Sequence, residues 1–296
     1  MASDLILKSV GVPLLMLGTA AVKTYTEFDD SMRQVQATLG ISGDELSQLS
    51  DAARQMGSTT RYSASEAAQA ILSIGQAGND TAQTLAMLPT VLQTAQASGL
   101  SVDTVAEYVS QTVSTLGIGQ DYIDDWADQV NKTASSAAVT QQQIFDATLT
   151  AGASAKALKG GTVELLTMVG ILGNAGVQGS EAGRTISAMM NKLSSAPSRA
   201  NAAAMLSQMN IEITDAQGNF REMNDIMLDF QKGMAGMGNA EKTSIMQTIF
   251  GEEYASKALA LVNGAGDAWT QMSDTIAASS RRPSGLRKTR FSSNSL

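Results

Sequence analysis

The chain has 296 residues, 43% of them apolar, and a formal charge of -8. That length accommodates one large or two modest domains, and the apolar share excludes wholesale disorder. Neither Cys nor His occurs, which removes thiol and imidazole catalysis, Cys/His zinc sites, disulfides and His-ligated haem, so no cofactor is expected.

Charged residues make up 16% and aromatics 4%, a mixture better suited to Ala-rich helices than to a sheet core. The charge is unevenly placed. Residues 281–296 carry five basic and no acidic groups, leaving 15 basic against 28 acidic in the rest of the chain. Such an acidic body repels phosphate backbones, and no basic patch interleaved with aromatics appears in it, so no specific nucleic-acid binding is expected. The basic segment reads as a solvated, disordered tail.

In chain order, the first feature is the uncharged run between Lys8 and Lys23. It imitates the apolar part of a secretory signal, but Asp4 ahead of it and Pro13 inside it spoil the pattern. Leu46, Leu49, Ala53 and Met56 then recur at helical spacing behind a capping box formed by Ser42 and Glu45. A second box, Ser63 with Glu66, opens the stripe Ala67, Ala70, Ile71 and Ile74, which ends at Gly75 and Gly78. Leu85, Leu88, Leu92 and Ala95 form a third stripe stopped near Gly99. Val102, Val105, Val109, Val113 and Leu116 form a fourth, capped by Ser101 and stopped at Gly117. Short turns between them predict an antiparallel helical stack. The uncharged stretch 81–102 is rich in Thr and Gln and contains Pro89, so it reads as a buried helix and not as a membrane span.

Helical spacing continues with Ile123, Trp126, Ala127 and Val130, and then with Ile144 and Leu149 behind a Thr140–Gln143 box. An apolar run at 163–172 follows, shorter than the roughly 20 residues that cross a bilayer. Next come Ile186, Met189, Met190 and Leu193, and after Pro197 a stripe of Ala202, Met205, Leu206 and Met209. Residues 211–220 break the rhythm. Ile211 and Ile213 alternate at period two, Asp215 opens a turn and Gly218 suits a left-handed angle, which predicts a small β-hairpin. Helical spacing resumes at Met223, Ile226, Met227 and Phe230 and again at Ile245, Ile249, Tyr254, Leu259 and Val262. No fixed repeat and no sustained heptad links these segments. The expected fold class is all-α, an irregular multi-helix stack with one small β-hairpin near 211–220.

The search for chemistry is mostly negative. A phosphate-binding P-loop needs Lys after Gly, and no Lys here follows a Gly. Gly170, Gly173, Gly176 and Gly179 follow a helical pattern and not a strand, so they read as a helix-breaking turn and as close helix packing. Asp124 with Asp125, and Glu252 with Glu253, are adjacent pairs. Neighbours on a helix point about 100 degrees apart, which does not aim two carboxylates across a sugar; both pairs read as solvated helix-end charge. Asp29, Asp30, Asp44 and Glu45 lack the alternation of a calcium loop, so no metal site is expected. The sixteen methionines read as core filler at helical spacing.

Read in succession, several segments resemble the core region of bacteriophage tail tape measure proteins: GTAAVKTYTEFDDSMRQVQATLGIS, TTRYSASEAAQAILSIGQAG, LPTVLQTAQASGLSVDTVAEYVSQTVSTLGI, GNAGVQGSEAGRTISAMMNKLSSAP, NIEITDAQGNF and IFGEEYASKAL. Their order and spacing cover roughly residues 10–265. The resemblance implies a domain layout of an N-terminal apolar lead and first helix (1–40), a helical tape measure core (41–280) and the basic tail (281–296). It also implies a family structural motif at Gly176, Gly179, Ser180 and Gly183, with Asp215 and Gly218 in the turn. The implied function is a non-catalytic virion protein that occupies the tail tube lumen, helps set tail length and leaves when DNA is ejected. Implied partners are tail-assembly chaperones, tail tube and baseplate proteins and other copies of itself, with a transient membrane contact. As one continuous helix the chain would span at most about 440 Å at ~1.5 Å per residue. Family members are usually much longer, so the sequence reads as a truncated or prophage-encoded copy. Two alternatives belong to other classes: a membrane-perturbing infection protein inserting residues 10–22 and 163–177, and a peptidoglycan-cleaving tail enzyme using Glu252 as a lone acid.

Overall fold

A computed structural model of the chain describes residues 26–280. The apolar lead up to residue 25 and the basic tail at 281–296 lie outside the described residues. What is described is built from α-helices. In chain order they are α1 (26–39), α2 (Gly43–Thr59), α3 (Ala64–Gln76), α4 (Thr81–Ser98), α5 (Val102–Leu116), α6 (Ile123–Ser136), α7 (Gln141–Ala151), α8 (Gly161–Asn174), α9 (Gly179–Ser195), α10 (Ala200–Gln208), α11 (Met223–Gly233), α12 (Asn239–Phe250), α13 (Glu252–Asn263) and α14 (Asp267–Ala277). No strand is formed among the described residues. The chain divides into two compact units, with the division between Ser110 and Gln111 inside α5.

In the first unit, local sequence sets where helices begin. Ser42, Ser63 and Asp80 each accept a hydrogen bond from the amide three residues on, and the side chains of Glu45, Glu66 and Gln83 each accept one from the cap residue's own amide. Each box satisfies two amides that the helix itself leaves orphaned. Gly99 ends α4 with a left-handed φ of 72°. The small residues of α3 do the packing: Ala67, Ala68, Ala70, Ile71 and Ile74 are fully buried. Side-chain bonds pin the helices to one another. Thr81 donates to Glu45 at 3.1 Å, Ser73 to Asp103 at 2.7 Å, and Asn79 to Ser110 at 3.0 Å. α4 continues through Pro89, which lies in its interior.

The second unit wraps helices around α8. Twelve of its fourteen residues are buried, the pattern of a helix apolar all round and therefore central. Trp126 of α6 and Phe145 of α7 meet with ring centroids 5.5 Å apart, and Phe230 of α11 meets Phe250 of α12 at 5.7 Å. All four rings are fully buried. One guanidinium, that of Arg199, donates to the Lys192 carbonyl at the end of α9 and to the Ile249 carbonyl at the end of α12, both at 2.8 Å. It places a cation at two negative helix ends.

The predicted hairpin at 211–220 is reduced to a single antiparallel bridge between Thr214 and Phe220. The reason is length. α10 ends at Gln208 and α11 starts at Met223, so the arms are too short to build a ladder, while the turn itself forms as expected. Asp215 accepts the amides of Gln217 at 3.0 Å and Asn219 at 2.9 Å, and Gly218 takes φ 83°.

Candidate functional site

In the second unit, the GNAGVQGSEAGR segment joins α8 to α9. α8 closes with a Schellman turn: the Val177 amide bonds the Leu172 carbonyl and the Gly176 amide the Gly173 carbonyl, both at 2.9 Å. Gly176 stands at φ 83° there, a left-handed angle that costs an L-residue with a Cβ about 1–2 kcal/mol. Amide side chains then tie this turn to the loop before α7. Asn174 accepts the Ala138 amide at 2.8 Å, Gln143 donates to Gln178 at 2.9 Å, and Gln178 donates to the Ala138 carbonyl. Gly179 and Ser180 open α9, the glycine buried and the serine half-buried.

Gly183 is where α9 lies directly on α7. A Cβ at that position would stand 2.2 Å from the Ala147 carbonyl oxygen and 2.9 Å from the Ala151 nitrogen, so the two backbones touch with no room for a side chain. Gly173 makes the same demand on α8, because a Cβ there would sit 2.2 Å from Val139 Cγ1. Two residues before Gly183, Glu181 pairs with Lys257 of α13 at 2.8 Å, which joins the GSEAGR segment to the EEYASKAL segment. The Lys257 ammonium donates to the Glu181 carboxylate and holds it below the usual glutamate range.

Asp215 and Gly218 lie elsewhere. Their turn borders Lys156 and Lys159, just before α8 starts, whereas Gly176, Gly179, Ser180 and Gly183 follow its other end. At ~1.5 Å per residue, α8 separates the two groups by about 20 Å. The six motif residues therefore act as two sets of turn and packing elements.

Sequence reasoning missed Glu164, which is 5% exposed. It accepts the amide of Gly160 at 2.9 Å and the amide of Met223, the first residue of α11. Burial, the largest influence, pushes its carboxyl above the usual glutamate range against the pull of the two amides. Its spacing in sequence, an acid in the first turn of an apolar helix, looks like an ordinary helix-dipole partner, and the contact with Met223 spans 59 residues. Asp125 is a further correction. It was expected to be solvated, but it is 3% exposed, because α6 turns Asp125 and Gln129, one turn apart, to the same inner side. Its neighbour Asp124 is exposed, as are Glu252 and Glu253 at the start of α13.

A cleft of the second unit lies between α6, α8, α13 and α14, over Ile171, Gly264 and Met272, and no titratable side chain lines it. Among the described residues no group of acidic side chains is arranged to hold a metal ion, and no helix is long and apolar enough to cross a membrane. Residues 163–177, the second candidate insertion segment, are α8 and its closing turn, at the centre of the unit.

Residues 50–251 match the family described as Phage-related minor tail protein. The tape measure protein of Pneumococcus phage Dp-1 is 24% identical over 268 residues, covering 90% of this chain and 23% of that protein. The probable tape measure protein of Escherichia phage P2 is 29% identical over 182 residues, covering 61% of this chain and 22% of that protein. The chain thus spans under a quarter of the length of either relative. No solved structure matches.

Proposed function

The chain belongs to the phage-related minor tail protein family, and from that premise we propose that it forms the helical core of a tape measure protein in a phage tail. It occupies the tube lumen, contributes to tail length through its own length and is released when DNA is ejected. The observation that carries this reading is the alignment of 90% of the chain with a protein named for that role.

The helical build supports it. A protein that measures by occupying length works through helix faces and turns, not through bond chemistry. Before the tube closes, the apolar faces are sheltered by tail-assembly chaperones in the host cytoplasm or by other copies of the chain, and later by tube and baseplate proteins. The low aromatic content and the many glycine breaks suit a compact state that reopens.

Electron microscopy of tails from phage carrying in-frame deletions in this region tests the proposal. Removing 30 residues shortens the tail by about 45 Å if the tape is helical, at ~1.5 Å per residue. Unchanged tail length, or absence of the chain from purified virions by mass spectrometry, overturns it.

A further inference from the structure

Asparagine followed by glycine is the sequence step most prone to lose its side-chain amide, because no Cβ shields the attacking nitrogen and glycine reaches the backbone angles that ring closure needs. The chain has eleven asparagines but only one such step, Asn263–Gly264. It falls where α13 turns into α14. Asn263 ends α13 and is exposed, whereas the corner that follows it is pinned. The Gly264 amide donates to the Ala260 carbonyl at 3.0 Å, the Gly266 amide to Asn224 of α11 at 3.0 Å, and Gln231 of α11 to the Val262 carbonyl at 3.4 Å. Gly264 also lies on α8, since a Cβ there would stand 2.6 Å from Ile171 Cγ2. We propose that Asn263 is a deamidation site gated by this corner: protected while the α13–α14 turn is closed, reactive when it opens, and less able to close once converted.

The reaction needs only water. The Gly264 nitrogen gives its proton to solvent base and attacks Asn263 Cγ; the side-chain nitrogen takes up a proton and leaves as ammonia, and a succinimide ring joins the two residues. Water then opens the ring at one carbonyl to give aspartate or at the other to give isoaspartate, whose main chain is one carbon longer. A closed corner blocks the first bond. The attacking nitrogen holds its hydrogen in the last bond of α13, and a helical Asn263 carries its side chain back toward the start of the helix, away from the next nitrogen. Opening the turn frees both groups, and local openings of this kind cost less than global unfolding. The product puts a carboxylate at the end of α13, where the helix carbonyls already make the potential negative. It also stands on the cleft between α6, α8, α13 and α14, whose lining otherwise has no titratable side chain.

Neither the chemistry nor the gate depends on where the chain acts. The full chain, incubated at mildly alkaline pH either folded or in concentrated urea, tests the proposal, with peptide mass spectrometry reading the amide-to-acid mass change at every asparagine. In urea Asn263 is expected to react faster than the other ten. In the folded chain its rate is expected to fall by at least about tenfold, a factor that an opening cost of ~1.4 kcal/mol supplies. Hydrogen exchange at the Gly264 amide reads the same opening, so its protection factor is expected to match the slowing at Asn263. Asn224→Ala removes the acceptor of the Gly266 amide and is expected to speed the folded-state reaction roughly fivefold, the equivalent of one net hydrogen bond. Gln231→Ala, which releases the Val262 carbonyl, is a second opening variant should the first lose its helical circular dichroism. Asn263→Asp is expected to lower the Gly264 protection factor. Equal rates at Asn263 in the folded and urea-treated chains overturn the proposal. So do a rate in urea no faster than that of the other asparagines, protection at Gly264 without a matching delay, opening variants that react at the wild-type rate, and unchanged protection in Asn263→Asp.

Discussion

At Gly183 the space for a side chain is already filled by the α7 backbone, so the cost of adding one methyl is predictable. Gly183→Ala must push α9 off the Ala147 carbonyl, and overpacking of this kind costs roughly 1–3 kcal/mol. Gly176→Ala meets no atom within 4 Å and is opposed only by its left-handed φ, at about 1–2 kcal/mol. Chemical denaturation of the two variants, compared by midpoint, checks both values. Gly183→Ser is expected to be worse than Gly183→Ala, and Gly176→Asn better than Gly176→Ala, because Asn tolerates the left-handed region. Arg199→Ala removes donors from the ends of α9 and α12 at once, an expected loss of about 1–3 kcal/mol in the same assay. The glycines were legible in the sequence as breaks and close contacts, and so was the Asp215 turn, because turn chemistry is written within four residues. Glu164 and Arg199 were not, since their partners lie some 50 or more residues away and no local spacing announces a contact of that range. Asp125 misled for the same reason, as which side of α6 faces inward is decided by its neighbours.

Among the elements, α8 carries the second unit. Leu166 is fully buried at its centre, and Leu166→Ala is expected to cost about 2–5 kcal/mol and to lower the thermal midpoint of that unit. The α9–α13 joint responds to acid. Lys257 depresses Glu181, so this pair stabilises above the usual glutamate value of 4.5 and the contribution is lost as pH falls through the lower folded value. Thermal unfolding followed from pH 6 down to 3 is expected to show a step that Lys257→Met removes. The helices read well from the sequence because capping is local: the boxes at Ser42, Ser63 and Thr140 all form as spaced. The hairpin is only one bridge long, because period-two alternation at Ile211 and Ile213 marks two buried side chains but not the length of a strand. Pairing of α7 with α9 depends on Gly183 meeting a carbonyl on another helix, which no pattern within either helix specifies.

For the molecule as a whole, the all-α class followed from composition and periodicity, and the succession of six segments pointed to the family that the match over residues 50–251 then showed. Charge gives a prediction at this scale. With 15 basic against 28 acidic groups ahead of residue 281, the net charge of the body opposes condensation on a duplex. Gel-shift assays at 150 mM salt are expected to show no binding to double-stranded DNA, and any weak shift seen with the full chain at low salt should vanish as salt rises.

Pro89 gives the stretched state a fixed mark. Proline has no amide to offer the Leu85 carbonyl four residues earlier, and its ring crowds that carbonyl; neither fact depends on the neighbours that surround α4 in the compact fold. If the turns between helices were drawn out into a single rod, the glycine corners could straighten, but an elbow would persist at this position. A rod drawn out from this fold would lack one helical bond at a known position, and cryo-electron density along a filled tube is expected to deviate from a straight helix at Pro89.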